Sequence, residues 1–297
     1  MSLSKWIKRI SNIYKFYFVS DENYRRDLFR KKFKKDMNLD NPQTFNEKIN
    51  YRILKDKNPL YTKLADKLQV REYVKKTIGE EYLIKLLGCY KNTNDIKYKS
   101  LPDRFVLKCN HDAGSVIICK EKKSFNYKKA NKKLNFHLKN DMYKRTREWH
   151  YKNIQPQIIC EEYLDIFGNS DDAFLPEDYK LHCFGGKVEF FEVQFNRFGK
   201  ERFINIYDRD WKLQPFTMGY KNASFSLDKP SKLSELIYLA EMLSRELDYC
   251  RVDFYIVNDV IYFGEITFTP CNGLDVITPE IWDYKLGQKW NLILKND

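Results

Sequence analysis

Apolar residues recur along this chain with two periods, and the change from one to the other divides it. From the N-terminus to about residue 80 the spacing is helical. TFNEKINYRILK (44–55) and ADKLQVREYVKKTIG (65–79) both predict helices, the first opened by Thr44 and Glu47 at capping-box spacing, the second stopped by Gly79. After Glu80 the runs shorten. RFVLKCN, GSVIICK and PQIICEEYL predict strands, with one basic helical segment over 127–139 among them. YKLHCFGGKVEFFEVQF predicts a hairpin turning at Gly185 and Gly186, and KLSELIYLAEMLSREL a helix. CRVDFYIVNDVIYFGEITFTP predicts a second hairpin turning at Asn258 and Asp259. No internal repeat or low-complexity linker breaks this order. Hairpins interspersed with helices predict an α+β layered architecture rather than a doubly wound parallel sheet.

Composition narrows the class. A length of 297 residues, 43% hydrophobic and 16% aromatic content, and only 11 Gly and 9 Pro describe a globular chain of two or three packed subdomains and exclude a disordered polymer. Lys and Arg number 53 against 41 Asp and Glu, giving +12, a balance that attracts nucleotides, acidic saccharides, nucleic acid or anionic lipid without choosing among them. Seven scattered cysteines without a CxxC pair read as thiols in a reducing compartment. The N-terminal segment has no uninterrupted apolar core or small-residue cleavage site, and no stretch reaches a bilayer-spanning length, so a cytoplasmic protein is expected.

That segment is basic as well as helical, from Lys5, Lys8 and Arg9 to the run RRDLFRKKFKK ending at Lys35, with Trp6, Tyr14, Phe16, Tyr17 and Phe18 interleaved. Two readings stand: a peripheral contact at the inner face of the membrane, or an amphipathic helix packed on its own domain with a solvated basic face.

Two stretches can carry chemistry. In FVLKCNHDAGSVIICK (105–120) a predicted strand ends in Lys108, and a turn-rich loop from Asn110 to Ser115 leads into the next strand. A lysine beside a loop of available backbone N–H groups suits phosphate; a plain hairpin with a solvated lysine has the same pattern. In the last hairpin, Asp253 and Glu265 fall at the same end if the strands are antiparallel neighbours. A divalent cation with oxygen ligands would relieve their repulsion, and Arg251, on the face of Asp253, would meet negative charge in a transition state. An Arg–Glu cross-strand pair with a solvated Asp is the alternative.

Taken in order, NPQTFNEKIN, NPLYTKLADKLQVREYV, FVLKCNHDAGSVIICK, REWHYKNIQPQIICEEYL, EDYKLHCFGGKV, RVDFY and FGEITFTPCNG resemble the TupA-like family of the ATP-grasp superfamily, associated with teichuronopeptide and other surface-polysaccharide products. The resemblance runs over about 41–282. It implies an α+β ATP-grasp fold, divided as a basic helical region 1–60, a subdomain 61–160 with the phosphate loop, and a subdomain 161–297 with the metal-binding hairpin. It implies ATP and Mg²⁺, with Lys67 and Lys108 on the phosphates and the 110–115 loop, including His111, Gly114 and Ser115, closing over them. Glu161, Glu162, Tyr163 and Leu164 would be the hinge that holds adenine, and Asp178 or Lys180 would reach ribose or phosphates. Asp253 and Glu265 would bind the metal, while Arg251 stabilises a tetrahedral intermediate. Arg197 and Arg202 are further candidate contacts to phosphate or carboxylate by charge and position. The chemistry implied is an ADP-forming carboxylate–amine ligation, with a uronic-acid carboxylate and an amino acid or amine as partners in capsule, O-antigen or teichuronic-type polysaccharide assembly, and no nucleic acid.

The chain departs from the superfamily pattern twice. Thr267 stands where most ATP-grasp enzymes have Asn two residues after the metal-binding Glu, and the short basic region replaces the usual preceding α/β domain. A glycosyltransferase using Asp208 and Asp210 of YDRDW as a DxD, a nucleic-acid-binding module and a non-catalytic nucleotide-binding protein are the competing readings.

Overall fold

The structure, a computed structural model, describes residues 17–166, 178–195, 202–225 and 227–294. Two antiparallel sheets organise it. The first has order β1-β4-β2-β3, from β1 (Leu86–Tyr90), β2 (Phe105–Cys109), β3 (Ile117–Cys119) and β4 (Ile158–Glu162). The second has order β10-β9-β5-β6-β7, from β5 (Tyr179–Phe184), β6 (Lys187–Phe195), β7 (Phe203–Asp208), β9 (Tyr249–Val257) and β10 (Val260–Thr267). A two-stranded ribbon pairs β8 (Thr217–Met218) with β11 (Ile277–Thr278). The α+β layering expected from the hairpins is therefore present.

Both predicted hairpin turns form where φ must be positive at two successive residues: +54° and +76° at Gly185 and Gly186, 51° and 62° at Asn258 and Asp259. The helices are α1 (Asp21–Phe33), α2 (Phe45–Lys55), α3 (Pro59–Ala65), α4 (Val70–Thr77), α5 (Tyr127–Leu138), α6 (Met142–Thr146), α7 (Leu233–Ser244) and α8 (Ile281–Lys289). The capping box that starts α2 is closed on both sides: the Thr44 hydroxyl accepts from the Glu47 N–H at 3.1 Å, and the Glu47 carboxylate accepts from the Thr44 N–H at 3.0 Å.

The helix predicted over 65–79 is instead two helices with a break at Asp66. Its carboxylate accepts from the Leu68 N–H and the Gln69 side chain, each at 2.8 Å, so local side-chain bonding competes with helical continuation. The break places Lys67 outside either helix, where its N–H donates to the Asn110 carbonyl at 3.1 Å.

Alternation along the strands gives the second sheet two unlike faces. Leu181, Phe191, Val193, Val252 and Phe254 face one side, where Leu236, Leu239 and Leu243 of α7 and Val70 and Val74 of α4 complete the largest core. On the other face Phe184, Phe190, Ile204, Ile206 and Tyr249 meet Phe45, Ile49, Leu286 and Trp290, so α2 and α8 cover one part of it. The remainder of that face is polar. The first sheet carries its own smaller core around Phe105, Leu107, Leu134 and Ile158.

The described part of the basic N-terminal region is packed on the protein: Phe29 of α1 is buried with Met37, Leu39 and Tyr51, and the Arg25 guanidinium bonds Asn50 and Asn272. Trp6, Tyr14 and Phe16 lie outside the described residues; Tyr17 and Phe18 are exposed. Among the described residues no helix is long and apolar enough to cross a membrane. All seven cysteines are free thiols, five of them buried.

Candidate active site

The polar part of the second sheet is built from registered strands. Across the last hairpin Glu265 faces Asp253 and Thr267 faces Arg251; on the next strand Lys180 faces Asp253 and His182 faces Arg251; beyond it Glu192 faces Lys180. Period-2 alternation places Arg251 and Asp253, Lys180 and His182, and Glu265 and Thr267 on one side, away from the α7 core. A bulge between Phe263 and Glu265 sets this register at Gly264, where a Cβ would stand 3.0 Å from the Asp253 carbonyl oxygen.

Charge is closely balanced. The Arg251 guanidinium donates to both Asp253 oxygens at 2.7 and 2.8 Å, to the Thr267 hydroxyl at 3.2 Å and to Glu265 at 3.5 Å. The Lys180 ammonium lies 2.6 Å from both Asp178 and Asp253. Burial alone would raise Glu265, but Lys67, then Arg251, Lys180 and Lys108, hold its carboxyl down to about 2. Burial disfavours the Lys180 charge, yet Asp253 and Asp178 overcome it and raise its pKa. Burial lowers His182, keeping it neutral; its Nδ1 accepts from the Tyr249 hydroxyl at 3.0 Å and its Nε2 faces Glu192 at 3.4 Å, the tautomer following from that network. Asp178 is raised, first by burial, and its Oδ1 is buried without a hydrogen-bond partner among the described residues. That atom is an acceptor waiting for a donor.

The β2–β3 loop reaches the same place through Lys67. Its ammonium donates to the Asp112 carbonyl at 2.9 Å and lies 3.5 Å from Glu265, so it joins the loop to the hairpin. Lys108 pairs with Glu161 at 2.5 Å, and Arg71 approaches the same carboxylate at 3.3 Å. Within the loop, the Ser115 hydroxyl accepts from the Cys109 N–H at 2.8 Å and donates to Asp112 at 2.7 Å; His111 meets the Asn140 carbonyl at 3.2 Å. Both side chains are buried and shape the loop from within, which leaves exposed Gly114, at φ +94°, on its outer side.

Sequence reasoning passed over Asp112, whose buried carboxylate takes both the Ser115 hydroxyl and His137 of α5. The Asp–x–x–Ser spacing was a usable signal for that turn; nothing in the sequence tied His137 to it. Glu192 was missed too, because the bulge at Glu189 breaks the alternation along the strand that would have given its face.

Beyond the centre, Glu161 is buried at the end of β4, while Glu162 is exposed and Tyr163 and Leu164 continue as irregular chain. The Arg104 guanidinium lies over the Tyr163 ring at 4.2 Å. Arg202 bonds Gln194 and lies over the Tyr220 ring at 4.5 Å, at the edge of the polar face. Arg197 lies outside the described residues. The Asp208 and Asp210 pair closes a surface turn: Asp208 accepts from the N–H groups of Asp210 and Lys212, each at 2.9 Å.

Among the described residues no group of three or more His, Cys, Asp or Glu could hold a metal by itself. The facing Asp253 and Glu265 carboxylates, with the Thr267 hydroxyl 3.5 Å from Glu265, nevertheless fit the way Mg²⁺ is bound, through one or two carboxylates completed by phosphate and water.

No curated protein matches the chain. Solved structures with similar folds include an L-amino acid ligase from Bacillus licheniformis (13% identity, 86% of this chain, 57% of that chain, TM-score 0.47). They also include D-alanine–D-alanine ligases from Bacillus anthracis (16%, 70%, 58%, 0.40) and Helicobacter pylori (16%, 77%, 61%, 0.39). The chain thus spans 57–61% of the length of these three, and scores of this size add nothing to what the sequence match carries. The TupA-like ATPgrasp family matches residues 47–291, which include every residue of the polar centre and the loop, and this chain belongs to that family.

Proposed function

We propose that the protein is an ATP- and Mg²⁺-dependent carboxylate–amine ligase that forms an amide between a uronic-acid-type carboxylate and an amino acid or amine in bacterial surface-polysaccharide assembly. The observation that carries the reading is the Asp253–Glu265 pair, in register across one hairpin and ringed by Lys67, Lys108, Lys180 and Arg251, in a chain of an ATP-grasp family. Such a ring of cations around two carboxylates suits a polyphosphate held through a metal.

Asp253 and Glu265, with Thr267 in place of the usual Asn, would hold the Mg²⁺, which would supply charge neutralisation on the phosphates. Lys67, Lys108 and Lys180 bind phosphate oxygens. The 110–115 loop, tied to Lys67, excludes water. The 161–164 segment supplies backbone groups to the base, and the orphaned Asp178 oxygen accepts from ribose or an incoming amine. In the first step a substrate carboxylate oxygen bonds to the γ-phosphorus and ADP leaves. In the second the amine nitrogen bonds to the acyl carbon, phosphate leaves and the amine gives up a proton, with Arg251 meeting the developing oxyanion. We propose further that the two sheets are the two clasping subdomains.

The test is ADP release with Mg-ATP across a panel of uronic acids and amino acids. Release that needs both a carboxylate and an amine, and that Asp253→Asn or Glu265→Gln abolishes, is expected. Turnover undiminished in both variants refutes the metal assignment, and stabilisation by a nucleotide sugar but not by Mg-ATP refutes the ligase.

A further inference from the structure

A cavity of about 430 Å³ opens beside the 3-10 turn Trp149–Tyr151, between the start of α1, the end of α2 and α6. Its size falls within the roughly 300–1,000 Å³ of ligand pockets. Lys55, Lys57 and Lys152, the aromatic Tyr143 and Trp149, and the acidic Asp21 and Glu22 line it, together with Ile53 and Leu54. The acids are engaged locally. Asp21 accepts from the Tyr143 hydroxyl at 2.6 Å and lies 3.3 Å from Arg147, and Glu22 accepts from Arg26 at 2.8 Å. Lys152 rests over the Tyr143 ring at 5.0 Å, a contact that leaves its charge in place, and Lys57 is exposed. The field in the cavity therefore favours an anion.

Trp149 is fixed on both sides. Arg147, at φ 64°, ends α6 and reverses the chain, while the Glu148 carboxylate accepts from the Thr269 hydroxyl and from Asn272 at 3.1 Å. Thr269 lies two residues beyond Thr267, and Tyr151, at the far end of the turn, feels the charges of Glu265 and Arg251. The turn that lines the cavity is thus tied through Glu148 to the chain just beyond the last hairpin. Aromatic rings accept the apolar face of a pyranose, and lysines its carboxylate.

We propose that this cavity docks the non-reacting part of an acidic saccharide, an oligosaccharide bearing hexuronate carboxylates, while its reacting group lies beside Asp253 and Glu265. The inference rests on the saccharide reading above. Binding energy at such a remote subsite helps place the reacting carboxylate.

Calorimetric titration of the full chain, loaded with Mg²⁺ and a non-hydrolysable ATP analogue, with glucuronate- and galacturonate-containing tetrasaccharides and a neutral counterpart tests it. The acidic set is expected to bind at least about tenfold more tightly than the neutral one. Lys57→Glu, at an exposed rim position that folding does not need, should weaken that binding by about tenfold, and Trp149→Ala by as much, with the affinity for the analogue unchanged. Failure of every acidic tetrasaccharide to bind, equal binding of the neutral one, or undiminished binding to Lys57→Glu overturns the proposal. ADP release with a small carboxylate and amine, measured alongside, separates the two readings: turnover without oligosaccharide binding rejects the cavity and leaves the ligase standing.

Discussion

Asp112 offers the most direct test of how the 110–115 loop is held and whether it binds phosphate. Its carboxylate is buried and takes the Ser115 hydroxyl at 2.7 Å and His137, while its carbonyl takes Lys67 at 2.9 Å. Asp112→Ala removes the carboxylate and keeps the carbonyl, so the loop loses its tie to α5 but not its tie to Lys67. A hydrogen bond to a charged group contributes about 1.5–3 kcal/mol, and each 1.4 kcal/mol is tenfold in affinity, so binding of Mg-ATP should weaken by about 10- to 150-fold if the closed loop is the form that binds. Calorimetry with a non-hydrolysable ATP analogue gives the number, and hydrogen exchange over 109–116 reports whether the loop has loosened. His137→Ala should weaken binding in the same direction, and the double variant should cost less than the sum of the two, because the two residues share one contact. An Asp112→Ala protein whose loop loses protection while its affinity stays unchanged would refute the role given to the loop; additive single variants would refute the latch between Asp112 and His137.

The buried imidazole of His150 is lowered to about 3 by burial and by Arg52, so the unfolded chain takes the proton first and stability is lost as pH falls from about 6.5 toward 3. Between pH 7 and pH 5 this one group should cost about 2 kcal/mol, and His150→Gln should lose correspondingly less over that interval in urea titrations; an unchanged difference removes the assignment. Gly264→Val would drive a side chain against the Asp253 carbonyl, at 3.0 Å from the new Cβ, and spread the hairpin at the carboxylate pair. A loss of about 1–3 kcal/mol is expected, together with a higher Mg²⁺ requirement for ADP release, and a melting temperature and metal dependence equal to the parent's would show that the bulge does not set the pair.

The sequence by itself determined what is local. The Thr44–Glu47 cap, the glycine pair at 185–186 and the Asn258–Asp259 turn each rest on a few neighbouring residues, and the last fixes which residues of the final hairpin face each other as far as Phe254 and Phe263. Asp253, Glu265 and Arg251 were therefore legible as neighbours at one hairpin end, but the bulge at Gly264, which brings Glu265 opposite Asp253, was not. The family match, over 47–291, rests on the same ordered stretches. Tertiary structure decided what joins distant segments. Lys67 reaches Glu265 only because Asp66 breaks a helix that periodicity alone would continue, and Asp66 also accepts from Asn110 of the loop. Asp112 meets His137 across 25 residues, and Lys180 meets Asp253 across 73, through helix packing and sheet order that no local pattern encodes. Side-chain chemistry is carried by the sequence. Which charges are left unscreened, and which are spent on neighbours, as Ser115 and Asp208 are, depends on burial, because an ion pair or hydrogen bond gains its strength where water is excluded.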